Sequence, residues 1–298
     1  MNFPVVYIRM RPKVTIGLCA KDAQKTIGFA LTSVAKQDFD HQLIEIIFVN
    51  DGSTDNTLKI VKEFASKIDI TTRVFDDGWQ GIAKARNKVV FNAAGDYIIW
   101  LDSDETIETA FVRQQVQLMD KNPGAGIATA KLGLNSSDNL ILQLDELPNI
   151  IGYYKKRKKP SKMPGTGGTV YRVVAIREIG GFDDTLQGAC EDIEAASRMV
   201  NAGWSIVSGD SYFHESHGSM ATLGNVWARS YKRGVDCRRL HNRTSVFFSP
   251  YRMNPVASIF MGTYYAILGF IETKKFITAL LPFYYAFKMA AWFQGFFN

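Results

Sequence analysis

Between residues 14 and 101, four short apolar runs alternate with three amphipathic stretches, a pattern that few folds satisfy. The runs VTIGLC (14–19), IEIIFV (44–49), TTRVF (71–75) and YIIWL (97–101) have the length and composition of buried strands. The stretches 23–36, 56–66 and 81–93 have helical spacing. Ile27, Ala30, Leu31 and Val34 share a face of the first, and Leu58, Ile60, Val61 and Phe64 a face of the second, which Asp55 is placed to cap. Short connections in a βαβαβαβ series predict an α/β fold, a mostly parallel sheet with helices on both faces. Such sheets bind ligands beyond the carboxyl ends of their strands. Asp51, Arg86 and the Asp102-Ser103-Asp104 turn lie at or near those ends.

The second half is less regular. It reads as helices over 109–120 and 193–202, the latter ended by Gly203, and a strand over 127–132. A turn is expected at 135–139 and a basic loop at 150–164. GTGG at 165–168 leads into a short strand, 169–171, and two further short strands are expected at 205–207 and 212–214. A cationic, partly helical stretch over 223–241 precedes an apolar tail. The 298 residues thus divide into an expected catalytic domain (1–220), a basic juxtamembrane segment (221–253) and apolar membrane-associated helices (254–298).

Hydrophobic residues make up 46% of the chain and charged residues 21%, which excludes wholesale disorder. The net charge of +6 is unevenly placed. KKRKKPSK (155–162) carries six positive charges and no acid, and 229–252 carries seven and one acid, so the remainder sums to −6. Such patches attract phosphates on lipid or nucleotide, although a solvated lysine loop explains the first equally well. Cys19, Cys190 and Cys237 are far apart and lack metal-type spacing, so neither a disulfide framework nor a zinc site is expected, and a reducing compartment fits. The first residues, MNFPVVYIRMRPK, contain no long apolar run of a secretory signal.

Two carboxylates at i and i+2 on extended chain point the same way, so Asp102 and Asp104 can share one cation. An open oxygen site of this kind suits Mg²⁺ or Mn²⁺ carrying a diphosphate; a capped surface turn is the plainer alternative. Asp51, at the end of the second strand, can accept hydrogen bonds from a base or ribose, or form an Asx-type turn. Arg86 can reach a pyrophosphate or remain a surface arginine. Of Glu191 and Asp192, one can cap the following helix while the other serves as general base. Among the histidines, His214 is the favoured metal ligand because it ends an apolar run, with His217 in reserve; either also suits a structural role.

Together the motifs resemble glycosyltransferase family 2, nucleotide-sugar-dependent enzymes of the GT-A fold. TIGLCAKDAQKTI (15–27), VNDGSTDNT (49–57), GIAKARN (81–87), IIWLDSDE (98–105), GGFD (180–183), Glu191-Asp192, Arg198 and Gly203 occur in the family's order. The resemblance implies that Ala20 and Asp22 line the base pocket, that Asp51 binds base or ribose, and that Arg86 faces the diphosphate. Asp102 would contact ribose or reach metal through water, with Ser103 beside it, and Asp104 would ligate Mn²⁺ or Mg²⁺ directly. Asp192 would deprotonate the acceptor next to Glu191, His214 would complete the metal shell, and the backbone around Gly167 and Gly168 would border the sugar. Glu191 and Ser103 are counted with the nucleotide-sugar contacts. Inverting transfer is implied by the same resemblance.

Two departures matter. Ala20-Lys21-Asp22 replaces the common Pro-x-Tyr-Asn, which leaves the nucleotide open, and no Gln-x-x-Arg-Trp follows His217, so one sugar per event is expected. The expected acceptor is a hydroxyl on a lipid-linked acceptor or glycan, with a polyprenyl or dolichyl phosphate as the alternative. A sugar nucleotidyltransferase would carry a glycine-rich first loop with a phosphate-binding lysine, which 17–22 lacks. A non-catalytic membrane- or RNA-binding protein would leave Asp51, Asp102, Asp104 and Asp192 without a purpose, and no nucleic-acid partner is expected.

The uncharged stretch 253–271 allows a helix over 256–271 of about 24 Å at ~1.5 Å per residue, slightly short of a bilayer core. The stretch 276–297 is long enough but interrupted by Pro282, Lys288 and Gln294, and Glu272-Thr273-Lys274-Lys275 can turn one helix into the other. A membrane hairpin, an in-plane pair and a soluble helical cap all fit this pattern. A basic collar over 229–252 would bind anionic lipids and place the catalytic domain on the cytoplasmic side of the cell membrane.

Overall fold

The computed structural model of the chain describes residues 11–133, 139–154, 164–186, 190–216, 222–241 and 254–298. Most of the expected 135–139 turn and of the basic loop, His217, and 242–252 of the second basic segment lie outside the described residues.

The apolar runs form strands β1 (Val14–Ala20), β2 (Ile44–Asn50), β3 (Thr71–Asp76) and β4 (Tyr97–Trp100). Between them lie helices α1 (Ile27–Ala35), α2 (Thr57–Ala65) and α3 (Ile82–Asn92). Helix α1 starts four residues later than its periodicity predicts. The amides of Ala23 and Gln24 donate to Thr57 Oγ1 (2.7 Å) and Asp55 Oδ2 (3.0 Å), which holds that segment in a turn. Asn56, not the expected Asp55, occupies the cap position of α2; Asp55 Oδ1 still accepts from the Thr57 amide, the first of the helix, at 2.9 Å.

Beyond β4 come β5 (Glu105–Ile107), α4 (Phe111–Lys121), β6 (Ala125–Leu132), α5 (Leu140–Tyr154), β7 (Val170–Arg172), α6 (Val173–Glu178), α7 (Glu191–Asn201) and β8 (Ser205–Glu215). The strand order is β3-β2-β1-β4-β7-β6-β8-β5. β1 pairs in parallel with β2 and β4, β2 with β3, and β6 with β8, whereas β7 runs antiparallel to β4 and β6, and β5 antiparallel to β8. One face of the sheet packs Ile16, Leu18, Ile46 and Phe48 against Ile27, Leu31, Val61 and Phe111. The other packs Ile47, Ile98, Trp100 and Tyr171 against Val89, Ala195 and Ala196. Helices therefore cover both faces, as the alternation predicts.

Three expectations are corrected. Residues 205–214 are one continuous strand, not two, with irregularities in register against β6 between Thr129 and Lys131. Residues 150–154 continue helix α5, which Pro148 and Gly152 disguise as loop. The stretch 223–241 is helical throughout, as α8 (Leu223–His241).

Helix α9 (Pro255–Thr273), a 3₁₀ turn (Phe276–Leu280) and α10 (Leu281–Phe297) complete the chain. Lys274 takes a left-handed conformation (φ 56°) between them, where the turn is expected. Pro282 falls in the first turn of α10, where a missing N–H costs little. Pro255–Thr273 and Phe276–Phe297 are both long and apolar enough to cross a membrane, and Phe260, Phe276 and Phe283 are more than 70% exposed.

Candidate active site

β1 lies between β2 and β4, so the chain reverses its direction of winding between β1 and β4. At the carboxyl ends of these two strands opens a cleft of about 810 Å³, lined by Cys19, Arg86, Asp102, Ser103, Asp104, Gly167, Glu191 and Asp192 among others. This is where an open α/β sheet binds ligands.

The Asp102–Asp104 turn is held from below by Glu105, a buried carboxylate with no role in the sequence reading. Glu105 Oε2 accepts from the amides of Asp102 (3.0 Å) and Gly168 (3.3 Å), and so ties the acidic turn to the 165–168 loop. Gly168 has φ 58°, and a Cβ there would collide with the Phe213 ring; this position therefore favours glycine twice over. β5 and β8 pair with Glu105 opposite Glu215, Thr106 opposite His214 and Ile107 opposite Phe213. Strand alternation then sends Phe213 and Glu215 into the cleft lining and His214 to the other face. There the His214 ring lies beside Gly133, with Nε2 3.7 Å from Glu108 Oε1. The structure thus does not bring His214 to Asp104; Glu215 occupies the cleft side in its stead.

Arg86 is buried between two carboxylates. It forms an ion pair with Glu191, its Nη2 lies 3.3 Å from Asp102 Oδ1, and the Trp100 and Phe182 rings are 5.9 Å away. Burial disfavours its charge, but Glu191 and Asp102 outweigh that and raise its pKa. The floor remains crowded with negative charge. Burial, then Glu215 and Asp102, push the Asp104 carboxyl up to about 6. Asp102 is raised by burial and by Glu215 and Asp192, against the pull of Arg86. Burial and Asp102 hold Glu105 well above the carboxylate range.

Asp192 lies in the first turn of α7 and lines the cleft, with Oδ1 accepting from the Ile193 amide at 2.7 Å. Its Oδ2 stands 3.2 Å from where a Cβ on Gly165 would be. Glu191 is drawn to Arg86, which leaves Asp192 as the member of the pair open to a ligand. Asp51, Asp22, Ala20 and Gly168 are not part of the lining of this cleft, although Cys19 and Gly167, the neighbours of Ala20 and Gly168 in sequence, are. Asp51 Oδ1 accepts from the amides of Gln80 (2.7 Å) and Gly81 (3.0 Å), fixing the loop before α3. Asp22, at φ 51°, accepts from the Thr54 amide at 2.7 Å, and Ala20 accepts from the Asp51 amide at 2.9 Å.

The remaining wall comes from α8 and α10, through Arg229, Lys232, Arg233, Cys237, Met289 and Trp292. Sequence reasoning assigns this cationic stretch to the membrane alone, because its meeting with the acidic turn is tertiary. Gly234 and Gly295 let the two helices touch backbone to backbone, since a Cβ on either would strike a carbonyl of the other helix. Arg229 Nη2 lies 3.8 Å from Glu215 Oε1, and Lys288 is paired with Asp145 of α5. Cys190 and Cys237, remote in sequence, approach to 3.1 Å between Sγ atoms as free thiols.

Among the described residues, no three His, Cys, Asp or Glu side chains form a ready-made metal cage. The donor set nevertheless fits Mg²⁺ or Mn²⁺, which take one or two carboxylates and complete their shell with water and substrate phosphate. Asp102 and Asp104 offer those oxygens, and their mutual repulsion is what a divalent cation relieves.

The model for Glycosyl transferase family 2 matches residues 15–180. A probable glycosyltransferase of Bacillus subtilis, YdaM, is 29% identical over 205 residues, 65% of this chain and 48% of its own length. The match thus spans about half of that relative. The mannosyltransferase PcManGT of Pyrobaculum calidifontis, solved with GDP-Man and Mn²⁺, superposes with a TM-score of 0.64 at 16% identity, over 79% of this chain and 66% of its own. Residues 1–349 of Staphylococcus aureus TarS with UDP-GlcNAc give 0.55 at 16% identity, over 95% and 90%.

Proposed function

This chain belongs to glycosyltransferase family 2, and from that premise we propose that it moves one sugar, with inversion and with divalent-metal assistance, from a nucleotide-diphosphate sugar to a hydroxyl of a lipid-linked or glycan acceptor. The observation that carries this reading is the gathering of Asp102, Asp104, Arg86 and Asp192 around one cleft at the switch between β1 and β4. Nucleotide sugars bound by PcManGT and TarS support the donor class.

Asp192 accepts the proton of the attacking hydroxyl as that oxygen bonds to the anomeric carbon, while the bond to the nucleoside diphosphate breaks. Asp104 and Asp102 would hold the metal, with Glu215 as the third carboxylate on that side. The metal, when bound, supplies positive charge to the departing diphosphate. Arg86 keeps Asp102 and Glu191 in place and adds positive potential near the same phosphates. Ala20, Asp22 and Asp51 shape the base and ribose site at the ends of β1 and β2. Ser103, Gly167 and Gly168 contribute close-packed backbone beside the sugar. The apolar helices α9 and α10 anchor the protein to the cell membrane, with the catalytic domain on the cytoplasmic side.

Two substitutions separate the roles. Asp104→Ala is expected to abolish metal-dependent turnover; Asp192→Asn is expected to keep donor binding and lose transfer. Normal turnover in Asp104→Ala, or full activity in Asp192→Asn, contradicts the assignment. Pyrophosphate release from a nucleoside triphosphate and a sugar phosphate would instead mark a nucleotidyltransferase.

A further inference from the structure

The cleft holds charges of both signs, and the reaction described above uses chiefly the acidic set. The other set stands on α8, where Arg229, Lys232 and Arg233 share one helical face at i, i+3 and i+4 and all line the cleft. The other cations of the cleft are matched, Arg86 by Glu191 and Asp102, and Lys288 by Asp145. Arg229 lies 3.8 Å from Glu215, on the side of Asp104. Lys232 and Arg233 are exposed and make no ion pair among the described residues.

Arg233 is linked to Asp192 through the two cysteines. One helical turn beyond it, Cys237 touches Cys190, and Cys190 precedes Asp192 by two residues. The contact of Gly234 with the Trp292 carbonyl region fixes α8 on α10, so these cations stand on a firm surface and not on a loop. A guanidinium fork and an ammonium, without an ion pair among the described residues and lining the same cleft as the carboxylate that handles a hydroxyl, match a phosphate group carried by the molecule that bears that hydroxyl.

We propose that Arg233 and Lys232 form a subsite for a phosphate group carried by the acceptor, so that the acceptor is a phosphate-bearing molecule whose hydroxyl reaches Asp192. This rests on the glycosyl-transfer reading of the cleft. The phosphate belongs either to a lipid lying against the apolar helices or to a soluble polymer, and the two sources share the same chemistry at α8.

The full chain in detergent is titrated with farnesyl phosphate and with a soluble glycerol-phosphate oligomer, each against its uncharged counterpart, farnesol and polyglycerol. A nucleotide-sugar titration runs alongside. At least one phosphate probe is expected to bind about tenfold tighter than its counterpart, and Arg233→Ala to remove about that factor, with Arg233→Lys recovering part of it. The loss should be several times larger for the probe than for the nucleotide sugar. Preference for farnesyl phosphate identifies a lipid source, and preference for the oligomer a polymer. Equal binding of charged and uncharged probes overturns the subsite while leaving glycosyl transfer intact. So does an equal loss of probe and nucleotide sugar in Arg233→Ala, which would assign α8 to the donor. A wild-type chain that binds no nucleotide sugar overturns the underlying reading and the subsite with it.

Discussion

Arg86 is about 5% exposed between Glu191 and Asp102, so the two sides of this cluster should answer differently to substitution. Arg86→Met strands Glu191 as a buried, unpaired carboxylate, at an expected cost of about 3–5 kcal/mol. Glu191→Gln leaves Arg86 its second partner, Asp102, and should cost clearly less. Thermal unfolding of both variants checks this; equal losses would contradict the pairing. At β8, Glu215→Gln should raise the Mn²⁺ concentration needed for half-maximal turnover more than His214→Asn does, because only Glu215 faces the acidic turn. The reverse order would restore His214 to the metal site. The Asp102-Ser103-Asp104 turn is readable from sequence because a continuous apolar strand precedes it and fixes where it emerges. Glu215 is harder to read, since two histidines draw attention away from strand parity. With Phe213 and Glu215 on one face and His214 on the other, the alternation itself carried the signal.

At the scale of elements, β1 to β4 and their helices are legible because period and length agree with the final structure. Helix α5 is not, because Pro148 and Gly152 interrupt a sequence that tertiary packing still holds helical. The joining of α8 to the site is invisible locally. It depends on Gly234 and Gly295, two glycines 61 positions apart, which bring their helices together backbone to backbone, Gly234 against Trp292 and Gly295 against Tyr231. Gly295→Val should therefore separate α8 from α10 and lower stability by about 1–3 kcal/mol or more, with a fall in the unfolding temperature. Acceptor-side activity should fall with it, because the cationic wall moves. An unchanged unfolding temperature would show that the helices do not pack this way.

For the whole molecule, the +6 net charge has acquired a location. Part of the second basic segment, α8 up to His241, forms a wall of the catalytic cleft together with α10, and α9 and the 276–297 stretch that contains α10 are both long and apolar enough to cross a membrane. If those helices anchor the chain in lipid, washed membranes should retain it in high salt and release it only with detergent. Quantitative release by salt would contradict insertion. The reaction itself is tested most directly by a thermal-shift panel of UDP-, GDP- and dTDP-sugars, each with and without Mn²⁺, on the full chain. One nucleotide class should stabilise the protein strongly with Mn²⁺ and much less without it, and Asp104→Ala should erase the difference. No stabilisation by any nucleotide sugar, or stabilisation indifferent to Mn²⁺ and to Asp104, would contradict metal-assisted glycosyl transfer at this cleft.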